Sequence, residues 1–104
     1  LPTQFTVTAR GAAAEKYPSY LGVFTRTQRW WWGRPVYVNT EGRLLHHGPG
    51  DRGWMISHTL GSAVLCGSRA RHSPATEPKW RHWTGSEYIP APITVRHIFF
   101  PIIK

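Results

Sequence analysis

The chain has 104 residues and a formal net charge of +8, from thirteen Lys and Arg against five Asp and Glu, and 40% of its residues are hydrophobic. This length and composition fit one globular domain with a modest core and exclude a disordered chain. The single cysteine excludes an internal disulfide framework, and no apolar run reaches the length of a membrane span. The excess of cations favours anionic partners such as acidic protein surfaces, RNA or lipid head groups.

The N-terminal third contains two predicted strands. Phe5-Thr6-Val7-Thr8 alternates apolar and hydroxyl side chains, as a half-buried strand does. Residues 9–16 contain the only stretch with helical preference, which is too short to be stable alone, so we expect a loop or a single turn. Residues 20–27 are rich in aromatic and β-branched side chains and predict the second strand.

The central stretch places three adjacent indoles, Trp30-Trp31-Trp32, before a Gly-Arg-Pro step and a predicted hairpin. The strands of this hairpin are residues 35–39 and 43–47, and Asn39-Thr40-Glu41-Gly42 supplies the Asn and Gly that a reversal favours. Pro35 lacks an amide donor and therefore belongs at a strand start or a sheet edge. The stretch predicts a recognition or docking element beside a hairpin.

Breaker-rich loops separate the remaining predicted strands. Residues 48–53 are dominated by Gly and Pro, and residues 68–79 form an exposed basic loop. The further strands are residues 54–58, 63–66, 80–84 and 93–100. Together the pattern predicts a single all-β domain over residues 1–104, a small antiparallel sandwich or partly open barrel of six to eight short strands without a convincing helix.

The tryptophan triplet is the main candidate contact surface. In a strand, Trp30 and Trp32 would face one way and Trp31 the other, so the three rings cannot all enter one core face. We therefore expect at least one ring to reach the surface or a partner. The other three tryptophans, Trp54, Trp80 and Trp83, are expected to be packing residues.

The C-terminal residues 99–104 are too apolar to remain in water, and Pro101 prevents them from continuing a central strand. We expect them to dock on a partner, while residues 93–99 join the core. Scattered arginines would add charged contacts to these apolar ones. The predicted partner-binding residues are Trp30, Trp31, Trp32, Arg34, Arg43, Arg69, Arg71, Arg81, Phe100, Ile102 and Ile103.

Two other binding functions stay open. Rings interleaved with arginines can stack bases and hold phosphates, although no RNA-binding fingerprint is present. Trp platforms also bind sugars, but the polar groups that such a pocket needs cannot be located in the sequence.

A metal site and an active site are not expected. The six histidines and Cys66 show no paired ligands at short spacing, and His46 and His47 would point to opposite faces of a strand, so we expect surface or hydrogen-bonded histidines. Ser57, His58 and Cys66 have no strained elbow around them, and the five acids fall mostly in turns or loops. The sequence predicts a non-enzyme without a cofactor or a small-molecule substrate.

A set of short motifs resembles a small module found in many predicted proteins of unicellular algae and other protists. It comprises Tyr20-Leu21-Gly22-Val23-Phe24, Gly33-Arg34-Pro35-Val36-Tyr37, Gly42-Arg43-Leu44-Leu45, Trp54-Met55-Ile56, Leu60-Gly61, and Trp80 with Trp83. The resemblance covers roughly residues 17–98 and implies a compact β module without catalytic residues. This chain departs from the pattern in its three adjacent indoles, its N-terminal strand and its apolar tail.

These observations together predict a non-catalytic accessory subunit of a larger assembly, held by protein–protein contacts and in part by anionic lipid or RNA. The algal resemblance and the start at Leu1, which fits a processed or incomplete chain, favour an organellar complex. A photosynthetic membrane complex of the plastid comes first, with the mitochondrion as a second compartment and the chain peripheral rather than transmembrane. An RNA-binding protein of an organellar ribosome is the alternative, and a carbohydrate-binding module is the second alternative.

Overall fold

The computed structural model describes residues 3–49, 53–67, 73–77 and 79–98. Within these ranges the chain forms nine strands, one five-residue helix and two 3-10 turns at Pro18–Tyr20 and Pro74–Thr76. The helix α1 is Ala12–Lys16, and the strands are β1 Gln4–Ala9, β2 Gly22–Trp31, β3 Arg34–Val38, β4 Leu44–His47, β5 Trp54–Ser57, β6 Leu65–Gly67, β7 Trp80–Trp83, β8 Tyr88–Ala91 and β9 Ile93–His97.

All nine described strands belong to one antiparallel sheet with the spatial order β8-β7-β6-β5-β4-β3-β2-β1-β9. The strands from β2 to β8 follow each other along the chain, so most connections are local. The two edge strands, β8 and β9, are separated in sequence by Pro92 alone, which brings both ends of the sheet together. The result is a nearly closed, barrel-like sheet, and the predicted all-β, antiparallel fold class is confirmed.

The number of strands is higher than the six to eight expected. The sequence pattern gives no strand at β8, because Pro90 lies in its middle and Pro92 follows it. A proline is tolerated there since β8 is an edge strand, where one side of the backbone forms no ladder. The loop or turn expected over residues 9–16 contains the short helix α1.

The hydrophobic core lies inside the curved sheet and follows the alternation of each strand. On β4 and β5, Leu45 faces Ile56 and His47 faces Trp54 across the ladder. Trp54 and Trp80 are buried and Trp83 is half-buried, as expected for packing residues. The buried cluster comprises Phe5, Val7, Phe24, Tyr37, Leu45, Trp54, Ile56, Leu65, Trp80 and Val95.

Strands β4 and β5 are buried on both faces, and the turn that follows β5 folds back onto β4. The hydroxyl of Ser57 donates to the carbonyl of Thr59, and the amide of Gly61 donates to Nε2 of His46 at 3.1 Å. This covering turn, residues 58–62, is called the Gly61 turn below. It is the part of the barrel against which the candidate site rests.

The segment after β1 connects the two ends of the sheet. The Lys16 ammonium donates to the carbonyl of Thr84 at 2.9 Å, and the Tyr17 hydroxyl donates to the carbonyl of Trp83. Because β1 adjoins edge strand β9 and β7 adjoins edge strand β8, these bonds hold the sheet near closure. In the described part of the chain, no helix has the length and apolar character needed to cross a membrane.

Candidate docking hairpin

The longest strand, β2, extends well past its neighbour β1. Strand β1 pairs with β2 only from Gly22 to Thr25, whereas the register of β2 with β3 continues to the pairs Trp30 with Pro35 and Trp31 with Arg34. A register shift between Arg26 and Trp30 marks a bulge, which bends and twists the extension. Residues 30–34 therefore form the end of a two-stranded hairpin, which we call the hairpin tip.

The hairpin tip closes through a two-residue turn, Trp32-Gly33. Both residues have positive φ, 52° for Trp32 and 77° for Gly33, as a type I′ turn requires. Asn or Asp usually precedes the Gly in such a turn, because their short side chains tolerate the left-handed region. Among the described residues, Trp32 is the one non-glycine residue with positive φ. This backbone conformation costs about 1–2 kcal/mol for an ordinary side chain.

The three indoles of the tip have different environments. Trp30 is 66% exposed and Trp32 is 60% exposed, while Trp31 is half-buried. The ring of Trp31 meets that of Trp32 edge-on, with centroids 6.4 Å apart and planes at 89°. The sequence could not show which rings are exposed, and the structure identifies Trp30 and Trp32.

Trp31 attaches the hairpin to the barrel through the Gly61 turn. A Cβ built on Gly61 would lie 3.5 Å from Cζ2 of Trp31, so the indole packs directly against this turn. The same glycine donates its amide to the buried His46. The tip is thus held by a continuous path from Trp31 through Gly61 to His46 in β4.

Hydrogen bonds within the hairpin add to this support. The hydroxyl of Thr27 donates to the carbonyl of Val36 at 2.8 Å and accepts from the amide of Arg29 at 3.1 Å. These bonds tie the bulged part of β2 to β3 and use the Arg29 amide internally. The Arg29 amide is therefore already hydrogen-bonded within the hairpin.

Cationic side chains flank the exposed indoles. Arg26 and Arg29 are exposed on β2, and Arg34 is half-buried opposite Trp31. Burial lowers the pKa of His47, and the nearby Arg34 guanidinium lowers it further. The tip combines apolar rings with positive charge, which suits an anionic partner with an apolar depression.

The other predicted arginines lie elsewhere on the sheet. Arg43 stacks over the Tyr20 ring, with its Cζ 4.7 Å from the ring centroid, and donates to the carbonyl of Glu41 at 2.9 Å. Arg81 lies opposite Cys66 on the neighbouring strand, with its Cζ 5.6 Å from the Tyr88 ring centroid. The structure therefore does not gather Arg34, Arg43 and Arg81 into one patch. The predicted contact residues outside the described part of the chain are Arg69, Arg71, Phe100, Ile102 and Ile103.

The histidines are mostly structural in the described residues. His46 and His47 are fully buried, and both rings are hydrogen-bonded, which is one of the two states expected. His46 accepts from the Gly61 amide, and the His47 ring meets Trp54 edge-on at 5.3 Å. Within the described ranges, no three His, Cys, Asp or Glu side chains are grouped so that they could hold a metal ion.

The nucleophile candidates Ser57, His58 and Cys66 have three different environments. The Ser57 hydroxyl is bonded to the Thr59 carbonyl, and His58 is exposed beyond the end of β5. Cys66 is buried, and burial raises the pKa of its thiol. Sequence reasoning did not find the bond between His46 and Gly61, because a contact between a strand and a turn fifteen residues away has no local sequence signal.

The fold and the site define a class: a nearly closed antiparallel β domain with an extended, aromatic and cationic hairpin. No family model, no curated protein and no solved structure matches the chain. The resemblance to the algal module stays a prediction from the sequence.

Proposed function

We propose that this chain is a non-catalytic accessory subunit of a larger assembly and that it docks on a partner protein through the hairpin tip. The observation that carries the proposal is the exposure of Trp30 and Trp32 at the end of a hairpin that packs against the Gly61 turn through Trp31. Trp and Arg are the residue types that dominate binding energy at protein interfaces. Two large apolar rings exposed to water on one hairpin are an unfavourable arrangement unless a partner covers them.

The energetic case rests on the size of an indole. A buried aromatic side chain removes about 150–250 Å² from water, and at about 25 cal/mol per Å² two rings supply several kcal/mol. Trp31, Thr27 and the Gly61 turn already order the hairpin in the free protein. Binding therefore loses less conformational entropy than it would with a flexible loop.

Single-stranded RNA is the second candidate partner, because exposed rings beside arginines can stack bases and hold phosphates. The exposed Trp30 next to Arg29 is the observation that favours it. An RNA complex would weaken steeply with added salt, since phosphate contacts release counterions. A protein interface dominated by indoles would be much less sensitive to salt.

The identity of the assembly stays a prediction. A photosynthetic membrane complex of the plastid, then a mitochondrial complex, follows from the algal resemblance. The additional contacts expected from the basic loop with Arg69 and Arg71 and from the tail at residues 99–104 lie outside the described residues.

The test compares assembly of tagged variants expressed in the native cell. The double variant Trp30→Ala, Trp32→Ala should lose most co-migration with the assembly on native gels, and material captured by the unchanged chain should persist through a high-salt wash and ribonuclease. Val23→Ala is the matched control, because Val23 is 44% exposed on the barrel part of β2. Normal assembly of the double variant would contradict docking through the tip, and release by ribonuclease would favour RNA.

A further inference from the structure

The turn residue Trp32 is poorly explained by the stability of the free protein. Its φ of 52° lies in the left-handed region, where Asn, Asp or Gly would fit with less strain. Among the described residues, its indole meets one other ring, that of Trp31, edge-on. Of the Trp32 surface, 60% stays exposed. The fold therefore holds a large apolar ring in an unfavourable backbone conformation and leaves it in water.

The sequence on both sides of Trp32 carries one sign of charge. From Lys16 to Thr40 the sequence contains four cations, Lys16, Arg26, Arg29 and Arg34, and no Asp or Glu. Arg34 pairs with Trp31 in the β2–β3 ladder, directly before the turn, and Arg29 precedes Trp30 on β2. A guanidinium presents a planar fork that matches a carboxylate with two parallel hydrogen bonds.

We propose that Trp32 is the anchor of the hairpin tip and enters an apolar pocket on a partner protein whose rim carries Asp or Glu side chains. Arg29 and Arg34 pair with the carboxylates of that rim. The turn fixes the direction of the Trp32 indole before binding. The free protein bears the backbone strain at Trp32, and the contact with the partner is preorganised as a result. This inference rests on the proposed function and adds the chemistry of the partner.

The orientation of the rings favours a protein pocket over a strand of RNA. Single-strand binders stack successive bases on a series of accessible ring faces. Here Trp31 is perpendicular to Trp32 and packs against the Gly61 turn, so the two neighbouring rings do not form a continuous stacking surface. One ring at the apex of a tight turn has the shape of an anchor residue that fills a pocket.

The first experiment separates stability from binding with Trp32→Asn and the matched variant Trp30→Asn. Trp32→Asn should shift the folding equilibrium about fivefold toward the folded state, because Asn accepts the left-handed conformation. The same variant should reduce retention in the assembly at least tenfold, more than Trp30→Asn, which relieves no positive φ. Undiminished retention of Trp32→Asn, with loss for Trp30→Asn, would overturn the anchor role of Trp32 and leave docking through the tip intact.

The second experiment tests the acidic rim by zero-length cross-linking of the assembled complex with a carbodiimide. This reagent joins an amine to a carboxylate only when the two are in contact. Arg29→Lys places an amine at the tip, and Arg10→Lys places one at an exposed position after β1 as the control. We expect a new cross-link from position 29 to an Asp or Glu of a partner protein and none from position 10.

The outcomes distinguish this inference from the proposed function. No cross-link from position 29, in a complex whose retention still depends on Trp30 and Trp32, would overturn the acidic rim alone. A complex that ribonuclease dissolves would overturn both proposals. A cross-link to a carboxylate together with loss of binding for Trp32→Asn would support the inference in full.

Discussion

At the scale of single residues, His46 links the barrel to the hairpin tip and makes that link sensitive to protonation. Its ring is fully buried, and Nε2 accepts the amide hydrogen of Gly61. The proton of the neutral ring therefore lies on Nδ1, which is 3.3 Å from the carbonyl of Leu44. Protonation of Nε2 would remove the acceptor for Gly61, against which Trp31 packs.

The first prediction concerns pH. Burial lowers the pKa of His46 and of His47, so the unfolded chain binds these protons more readily than the folded one. The stabilisation is fully present above the unfolded pKa of about 6.5 and is lost as pH falls through the lowered folded values. The free energy of unfolding should therefore decrease below about pH 6.5, by at most about 1.4 kcal/mol per pH unit for each proton. Urea unfolding at pH 7.5, 6.5 and 5.5 measures this slope.

The control for the pH series is His58→Gln, because His58 is exposed after β5. This variant should keep the slope of the unchanged chain, whereas His46→Gln should reduce it. A free energy of unfolding that stays constant from pH 7.5 to 5.5 would show that the buried histidines do not control stability there.

At the scale of elements, Asn39 joins the β3–β4 hairpin to the 3-10 turn Pro18–Tyr20. Its Oδ1 accepts the amides of Glu41 and Arg43 at 3.0 and 2.8 Å, which shapes the turn. Its Nδ2 donates to the carbonyls of Ser19 and Leu21 at 2.9 and 3.0 Å. One buried amide thus fixes a local reversal and a contact across about twenty residues of sequence.

The second prediction is that Asn39→Ala lowers the free energy of unfolding by about 2–6 kcal/mol, because four hydrogen bonds of about 0.5–1.5 kcal/mol each are lost. Asn39→Asp should also destabilise, since it keeps the acceptor but places a carboxylate against two carbonyls. Thr40→Ala, at an exposed position of the same turn, should stay within about 0.5 kcal/mol. Chemical denaturation measures all three, and an equal effect of the Asn39 and Thr40 variants would contradict the role given to Asn39.

The sequence predicted those elements whose signals are local. The hairpin expected at residues 35–39 and 43–47 forms at Arg34–Val38 and Leu44–His47, because alternation and the Asn39-to-Gly42 turn act over a few residues. The extension of β2 to Trp31 was not predicted, since it depends on a bulge and on pairing with Arg34 and Pro35. Strand β8 was hidden by Pro90, whose position at a sheet edge is a property of the whole topology.

The candidate site was predicted in composition but not in arrangement. The triplet Trp30-Trp31-Trp32 was predicted as a contact surface because it consists of three large aromatic residues. The exposure of Trp30 and Trp32, however, depends on the chain reversal at Trp32-Gly33. The half-buried state of Trp31 depends on Gly61, which lies thirty residues further along the chain. Arg43 was grouped with Arg34, but residues 34 and 43 lie on opposite ends of the β3–β4 hairpin, and Arg43 stacks on Tyr20. Contacts of this kind come from register and closure, which no short sequence window contains.

At the scale of the whole molecule, the formal charge of +8 acts against compactness. Thirteen cations and five acids on a chain of 104 residues repel one another on average when they are brought together by folding. At about 0.01 M salt the Debye length is about 30 Å, comparable to the size of a small domain, so most of the cations interact. At about 0.2 M salt the screening length is below about 10 Å, and only neighbouring cations repel one another.

The third prediction follows from this screening. Raising NaCl from about 0.01 to 0.2 M should increase Tm by a few degrees, where about 1 kcal/mol corresponds to about 4–8 °C for a domain of this size. Calorimetry over a salt series measures the effect, and sucrose at matched osmolality controls for general exclusion from the surface.

The variant Arg29→Gln, Arg96→Gln removes two exposed cations and should raise Tm at low salt while flattening the salt dependence. A Tm that falls as NaCl rises would mean that attractive pairs outweigh repulsion. A partner with carboxylates around the hairpin tip should remove part of the same repulsion on binding, so the bound chain should show a weaker salt dependence than the free chain.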